Sequence, residues 1–216
     1  MLQKSTLTST KTIYIIRHGQ TDFNQMGIVQ GSGVDTDLNN TGIKQAEAFF
    51  SRYNHIPFQK IYVSSLKRTH QTVAPFNSLN IPIEILPELN EINWGILEGK
   101  IQDEDTKKLF FNQLKRWREG FLNEAVEGGE TPTEMQDRQK VGLNKIEAEN
   151  LSPVLICMHG RAMRGFLCLL TNTPLQEMDI FPHNNICLYV LEKPVGSYHY
   201  NIITQNSQKH LDTIIP

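Results

Sequence analysis

The chain has 216 residues and a mass of 24.7 kDa, the size of one ordinary domain and short for two. Apolar residues make up 39% and charged residues 20%, which suffices for a buried core and a solvated surface. Lys plus Arg number 21 against 23 Asp plus Glu, so the formal charge is −2. That balance argues against a dedicated nucleic-acid binder but leaves room for a few cations clustered around a small anion. No apolar run approaches the ~18 residues of a membrane span. Residues 1–11 are rich in Ser and Thr and have no apolar h-region, so they read as a flexible N-terminus rather than a signal peptide. Cys157, Cys168 and Cys187 each sit in an apolar run and read as small core residues, with no metal-type spacing. A cytoplasmic protein is the expectation.

The run Thr12-Ile13-Tyr14-Ile15-Ile16 predicts a buried strand that stops at Arg17-His18-Gly19. A polar loop from Gln20 to Asn40 leads to a predicted helix over Thr41–Phe50, with Ile43, Ala46, Phe49 and Phe50 on its apolar face. Lys60–Ser64 predicts a second strand and Leu66 to about Ala74 a helix, which Pro75 should end or kink. The extended run Ile81–Leu86 contains Pro82, a sign of a sheet edge, and a Gly-punctuated loop follows to Gly99. Leu109, Phe110, Leu114, Trp117 and Phe121 recur at helical intervals within Gln102–Asn123, and Pro132 opens another helix that runs to about Asn150. Val154–Met158 predicts a third strand ending at His159-Gly160, with a helix over Arg161–Leu170; Ile186–Leu191 and Tyr198–Thr204 close the pattern as strands. Strands alternating with helices predict an α/β fold, a mostly parallel sheet flanked by helices in three layers. A single domain over residues 12–216 is expected, with a small helical cap inserted between about residues 100 and 130.

Three strand-to-helix junctions carry the same cargo: Arg17-His18-Gly19, Ser64-Ser65-Leu66-Lys67-Arg68, and His159-Gly160-Arg161. In an open α/β sheet ligands bind outside the carboxyl ends of the strands, so two Arg and two His should converge beside helix N-termini that favour anions. The expected site is a phosphate pocket.

With the loop Leu89-Asn90-Glu91-Ile92-Asn93-Trp94-Gly95-Ile96-Leu97-Glu98-Gly99, these motifs resemble the histidine phosphatase superfamily, the group of phosphoglycerate mutase-like folds. The resemblance spans about Ile13 to Leu191. It implies that His18 attacks phosphorus and becomes phosphohistidine, that Arg17, Arg68 and His159 clamp the phosphoryl oxygens, and that Glu91 supplies the leaving oxygen with a proton. Asn24 and the Gly160 N–H are further phosphate contacts on this reading, and Glu98 has a structural part in the loop. Like charge from Arg17 and Arg68 should favour a neutral His18 ring. No metal and no cofactor are expected, because side chains meet the charge of the transferred group.

Arg116 and Arg118, in a basic stretch with Lys107, Lys108 and Lys115, and His183 before the penultimate strand, are candidate specificity residues. Phe23, Met26 and Trp94 are candidates for the entrance. Gln20 and Thr21 after the Arg-His-Gly triplet, the short chain, and Arg116 and Arg118 split by Trp117 favour a phosphatase over a phosphoglycerate mutase; a phospho-ligand binding module is the third reading. The partners expected are a small phosphorylated substrate and, as assembly, a homodimer, with neither nucleic acid nor membrane.

Overall fold

A computed structural model describes residues 10–101 and 103–212. Six strands form one sheet: β1 (Lys11–Arg17), β2 (Lys60–Val63), β3 (Ile83–Ile85), β4 (Val154–Met158), β5 (Leu188–Lys193) and β6 (Asn201–Ser207), in the order β3-β2-β4-β1-β5-β6. The first four in that order are mutually parallel; β5 runs antiparallel to β1, and β6 antiparallel to β5. The sequence dictates which strands are central. All five residues of β4 are buried, as a strand covered on both faces requires.

Alternate side chains divide between two cores. Ile13, Ile15, Ile156 and Met158 point to the face covered by α5 (Pro132–Ala148) and α6 (Gly160–Thr171), whose Met135 and Phe166 join them. Ile16, Leu155, Cys157 and Val63 point to the other face, against Phe49 of α2 (Asn40–Tyr53) and Val73 of α3 (Lys67–Val73). The result is the expected three-layer α/β architecture. The helical insert is α4 (Glu104–Arg118), packed through Leu114 and Trp117 on the first core. Among the described residues no helix is long and apolar enough to cross a membrane.

The departures from expectation have local causes. A short helix, α1 (Asp22–Met26), lies inside the stretch read as loop; five residues carry no periodicity, but Thr21 and Asn24 form a reciprocal capping box at its start. Ile43, assigned to the buried face of α2, is exposed, while Gly42 and Ala48 are buried. Pro75 follows the end of α3 and opens a 3-10 turn, Ala74–Leu79. The α4 helix begins where Asp103 accepts the Thr106 N–H; the expected start, Gln102, lies outside the described residues. Ile186 adopts φ 53°, which breaks the extended run and delays β5 to Leu188. Of the N-terminal stretch, residues 1–9 lie outside the described residues, whereas Lys11 is buried in β1 with Nζ donating to the Ile146 carbonyl at 2.7 Å.

Candidate active site

Because β2, β4 and β1 are neighbours running the same way, the motifs at their carboxyl ends meet at one edge of the sheet. His18 leaves β1 almost fully buried, with its N–H donating to the Met158 carbonyl at 2.9 Å. Its Nδ1 lies 2.7 Å from the Gly19 carbonyl, which accepts only, so Nδ1 carries the proton and Nε2 the free lone pair. Burial, then the charges of Arg68 and Arg17, hold the ring's pKa well below its ordinary value, while the bond to Gly19 opposes them. The imidazole is thus neutral and fixed in one tautomer.

The loop after His18 is anchored on both sides. Gly19 N–H donates to Thr72 Oγ1 at 2.9 Å, and Asn185 Nδ2 donates to the His18 carbonyl at 3.1 Å. Gly42 of α2 meets this loop backbone to backbone: a Cβ there would lie 2.1 Å from the Gln20 carbonyl oxygen. Asn24 Oδ1 accepts from Thr21 N–H and from Asn185 Nδ2, both at 3.1 Å, so the Asn24 amide hydrogens are the part left to meet a ligand.

Arg68, in the first turn of α3, is completely buried. Its Nη1 donates to the Val34 carbonyl at 2.7 Å, Nη2 to Gly31 at 3.3 Å, and Nε to His159 Nδ1 at 3.2 Å. Burial lowers its pKa to about 10, still cationic at neutral pH. Since His159 Nδ1 accepts, Nε2 carries the proton and donates to Ser64 Oγ at 2.8 Å. Burial and the adjacent Arg68 hold His159 well below the usual histidine range. The His18 and His159 rings lie 5.2 Å apart between centroids.

Arg17 gives Nη1 to the His183 carbonyl at 2.7 Å, and its buried Nε has no hydrogen-bond partner among the described residues. His183 Nδ1 stands 3.3 Å from the same Nη1, and burial beside Arg17 lowers its pKa to about 3. Gly160 opens α6, whose N-cap residue, His159, makes no side-chain cap. Glu91 supplies the cap instead. Its Oε1 accepts from Ala162 N–H at 2.7 Å and Ile92 N–H at 2.9 Å, and its Oε2 from Arg161 N–H at 3.0 Å. Each carboxylate oxygen has two lone pairs, so Oε2 retains one.

Arg17, His18, Asn24, Glu91, Gly160 and His183 share one cavity of about 160 Å³. The structure brings together the predicted core, with Arg68 and His159 bracing it from behind, and brings His183 in beside them. It does not bring in Arg116 or Arg118. Arg116 donates to both oxygens of Glu124 at 2.9 and 2.7 Å and lies over the Phe121 ring; Arg118 pairs with Asp179 at 2.7 Å. Of the proposed entrance residues, Trp94 lines the cavity, while Ile28, Val29 and Phe110 stand where Phe23 and Met26 were expected. Glu98 accepts the Trp94 N–H at 2.7 Å, a structural part as read from sequence. Ser64, Thr72 and Asn185 were not singled out. Each orients a site group by a hydrogen bond, and the only signal in sequence is nearness to the carboxyl-end face, Thr72 lying within α3.

The assembly defines a phosphate-handling α/β protein organised around a neutral, tautomer-fixed histidine. Residues 13–203 match the model of the histidine phosphatase superfamily, branch 1, and the chain belongs to that superfamily. A probable phosphatase of Schizosaccharomyces pombe is 41% identical over 111 residues, which are 50% of this chain and 53% of that protein, so the match spans about half of each. A probable phosphoglycerate mutase GpmB of Yersinia pestis is 30% identical over 169 residues, 75% of each chain. The native structure of a mycobacterial glucosyl-3-phosphoglycerate phosphatase shares the fold, with a TM-score of 0.79 at 21% identity over 92% of this chain and all of that one.

Proposed function

We propose that the protein is a phosphomonoester hydrolase that works through a phosphohistidine on His18, without a metal, on a small phosphorylated metabolite. The observation that carries this is the His18 ring, which is neutral, locked through Nδ1 on the Gly19 carbonyl, and presented beside Arg17 in a shared cavity. Nε2 attacks phosphorus as the bond to the leaving oxygen breaks, and the open lone-pair position of Glu91 Oε2 carries the proton to that oxygen. Water then attacks the phosphohistidine, Glu91 takes its proton, and the P–N bond breaks to free the neutral imidazole. The unpartnered Arg17 Nε, the Asn24 amide and the Gly160 N–H at the start of α6 are the donors for the phosphoryl oxygens. Arg68 holds His159 in place and adds charge from behind.

A mutase returns the phosphoryl group to a bound phosphoglycerate and needs cations for its carboxylate. Arg116 and Arg118 are committed to Glu124 and Asp179, which favours hydrolysis. Three free, buried cysteines support a reducing compartment such as the cytoplasm. The exposed Ile83 and Ile85 on the β3 edge support a homodimer, which a monomeric mass in light scattering would refute. The test of function is phosphate release from a panel of monoesters with chelator present and His18→Ala as control. Release by the wild type alone supports the reading. If nothing is released, a mutase assay primed with a bisphosphoglycerate is the next measurement.

A further inference from the structure

Beside the groups proposed to hold phosphate, the cavity carries an apolar patch, with Gln30 and Arg161 as its other polar lining. Ile28, Val29, Trp94 and Phe110 form that patch, with Trp94 and Phe110 in ring contact at 4.9 Å. Phe110 meets Phe111 edge-on at 5.5 Å, and Phe111 is 61% exposed, so an aromatic run leads from the cavity to the surface of α4. The cations nearest the cavity are each held within the protein, Arg118, Arg161 and Arg164 on the one carboxylate of Asp179. Arg161 lines the cavity, but its Nη1 donates to Asp179 at 2.5 Å and its guanidinium lies 5.8 Å from the Trp117 ring. On α4, Arg116 and Arg118 are paired as described, Lys115 pairs with Glu119 and Lys107 with Glu104. A carboxylate on the leaving group would lose water against Ile28, Val29, Trp94 and Phe110 without a partner there.

Resting on the hydrolase reading above, we infer that the preferred substrates are phosphomonoesters of uncharged apolar alcohols, aromatic ones above all. Phosphoglycerate-type esters, which set a carboxylate instead of a ring against the apolar patch, are disfavoured. The leaving group stacks on Phe110 and Trp94 while its oxygen faces Glu91.

The test pairs binding with turnover. Calorimetry on the full chain compares benzylphosphonate with 3-phosphonopropionate, neither of which can be hydrolysed at a P–O ester bond. Steady-state assays compare naphthyl phosphate with 3-phosphoglycerate. Benzylphosphonate should bind at least about tenfold more tightly, and Phe110→Ala should erase most of that margin while leaving affinity for inorganic phosphate as it was. Val29→Lys, which sets a cation in the apolar wall, should shift preference toward the carboxylated ligand and guards against a misfolded Phe110 variant. Equal affinity of the two phosphonates in the wild type overturns the inference, as does a margin that survives Phe110→Ala. If the binding margin holds but neither ester turns over, the hydrolase reading fails and the apolar subsite stands. If both esters turn over with equal kcat/KM, the subsite fails and the hydrolase reading stands.

Discussion

Two pairs of arginines show how position decides what a cation does. Arg17 ends strand β1 half-buried, Arg68 lies fully buried in the helix after β2, and the carbonyls of His183, Val34 and Gly31 brace them. Backbone carbonyls fix a guanidinium without cancelling its charge, so Arg17 can meet an anion directly and Arg68 adds its charge from behind. Arg116 and Arg118 lie on the surface of α4 and are met by carboxylates, Arg116 by Glu124 and Arg118 by Asp179, which it shares with Arg161 and Arg164. Arginines at the carboxyl ends of parallel strands belong to the ligand, and those on the helix surface belong to its solubility and packing.

The largest expected effect follows from removing the group that the first pair serves. His18→Ala should lower kcat by at least about 10⁴-fold on every ester, measured as phosphate release. Arg68→Lys keeps the charge but loses the fork that joins His159 to two carbonyls; a loss of about 10²- to 10³-fold in kcat/KM is expected, with a destabilised fold visible in thermal melts.

Glu91→Gln should slow esters of weakly acidic alcohols by about 10²-fold in kcat, while the first-turnover release of nitrophenolate, which needs no proton, changes far less. Equal losses on both would show that Glu91 serves α6 as a cap and does not act as the acid.

Acid should weaken the buried side of the comparison. Native His18 and His159 are held well below 6.5, His210 at about 4 and His183 at about 3, chiefly by burial. The unfolded chain therefore binds protons first as pH falls, so this stability is complete above about pH 6.5 and is lost progressively below it. Each such histidine is worth roughly 2 kcal/mol between pH 6.5 and 5, and urea midpoints across that range check it. The smallest effect is expected at the second pair. Charge reversal at Arg116 or Arg118 should leave KM within about twofold for uncharged leaving groups. A large change there would erase the contrast between the two pairs.

Much of this was legible in sequence because the site is carried by strand ends. Apolar runs locate β1, β2 and β4, and the residues that terminate them are the ones that converge. The sheet order put Pro82 beside an edge strand, as its missing N–H requires. The cap of α6 was not legible: nothing in Glu91 or His159 says that the ring turns to Arg68 and Ser64 while a carboxylate from another loop takes the helix N-terminus. Nor was the fate of Arg116 and Arg118, since Asp179 is 61 residues beyond Arg118 and Glu124 lies past the helix end. Gly31 shows the same limit. A Cβ there would lie 1.8 Å from Glu98 Oε1, a contact between two loops that local sequence does not announce.

The most direct measurement is a rapid quench with substrate labelled in the phosphoryl group. One equivalent of label should appear on the chain before steady state, stable to alkali and labile to acid, and mapped to His18 by peptide analysis. Label on another residue, or turnover with none retained at any time, would contradict a phosphohistidine at His18.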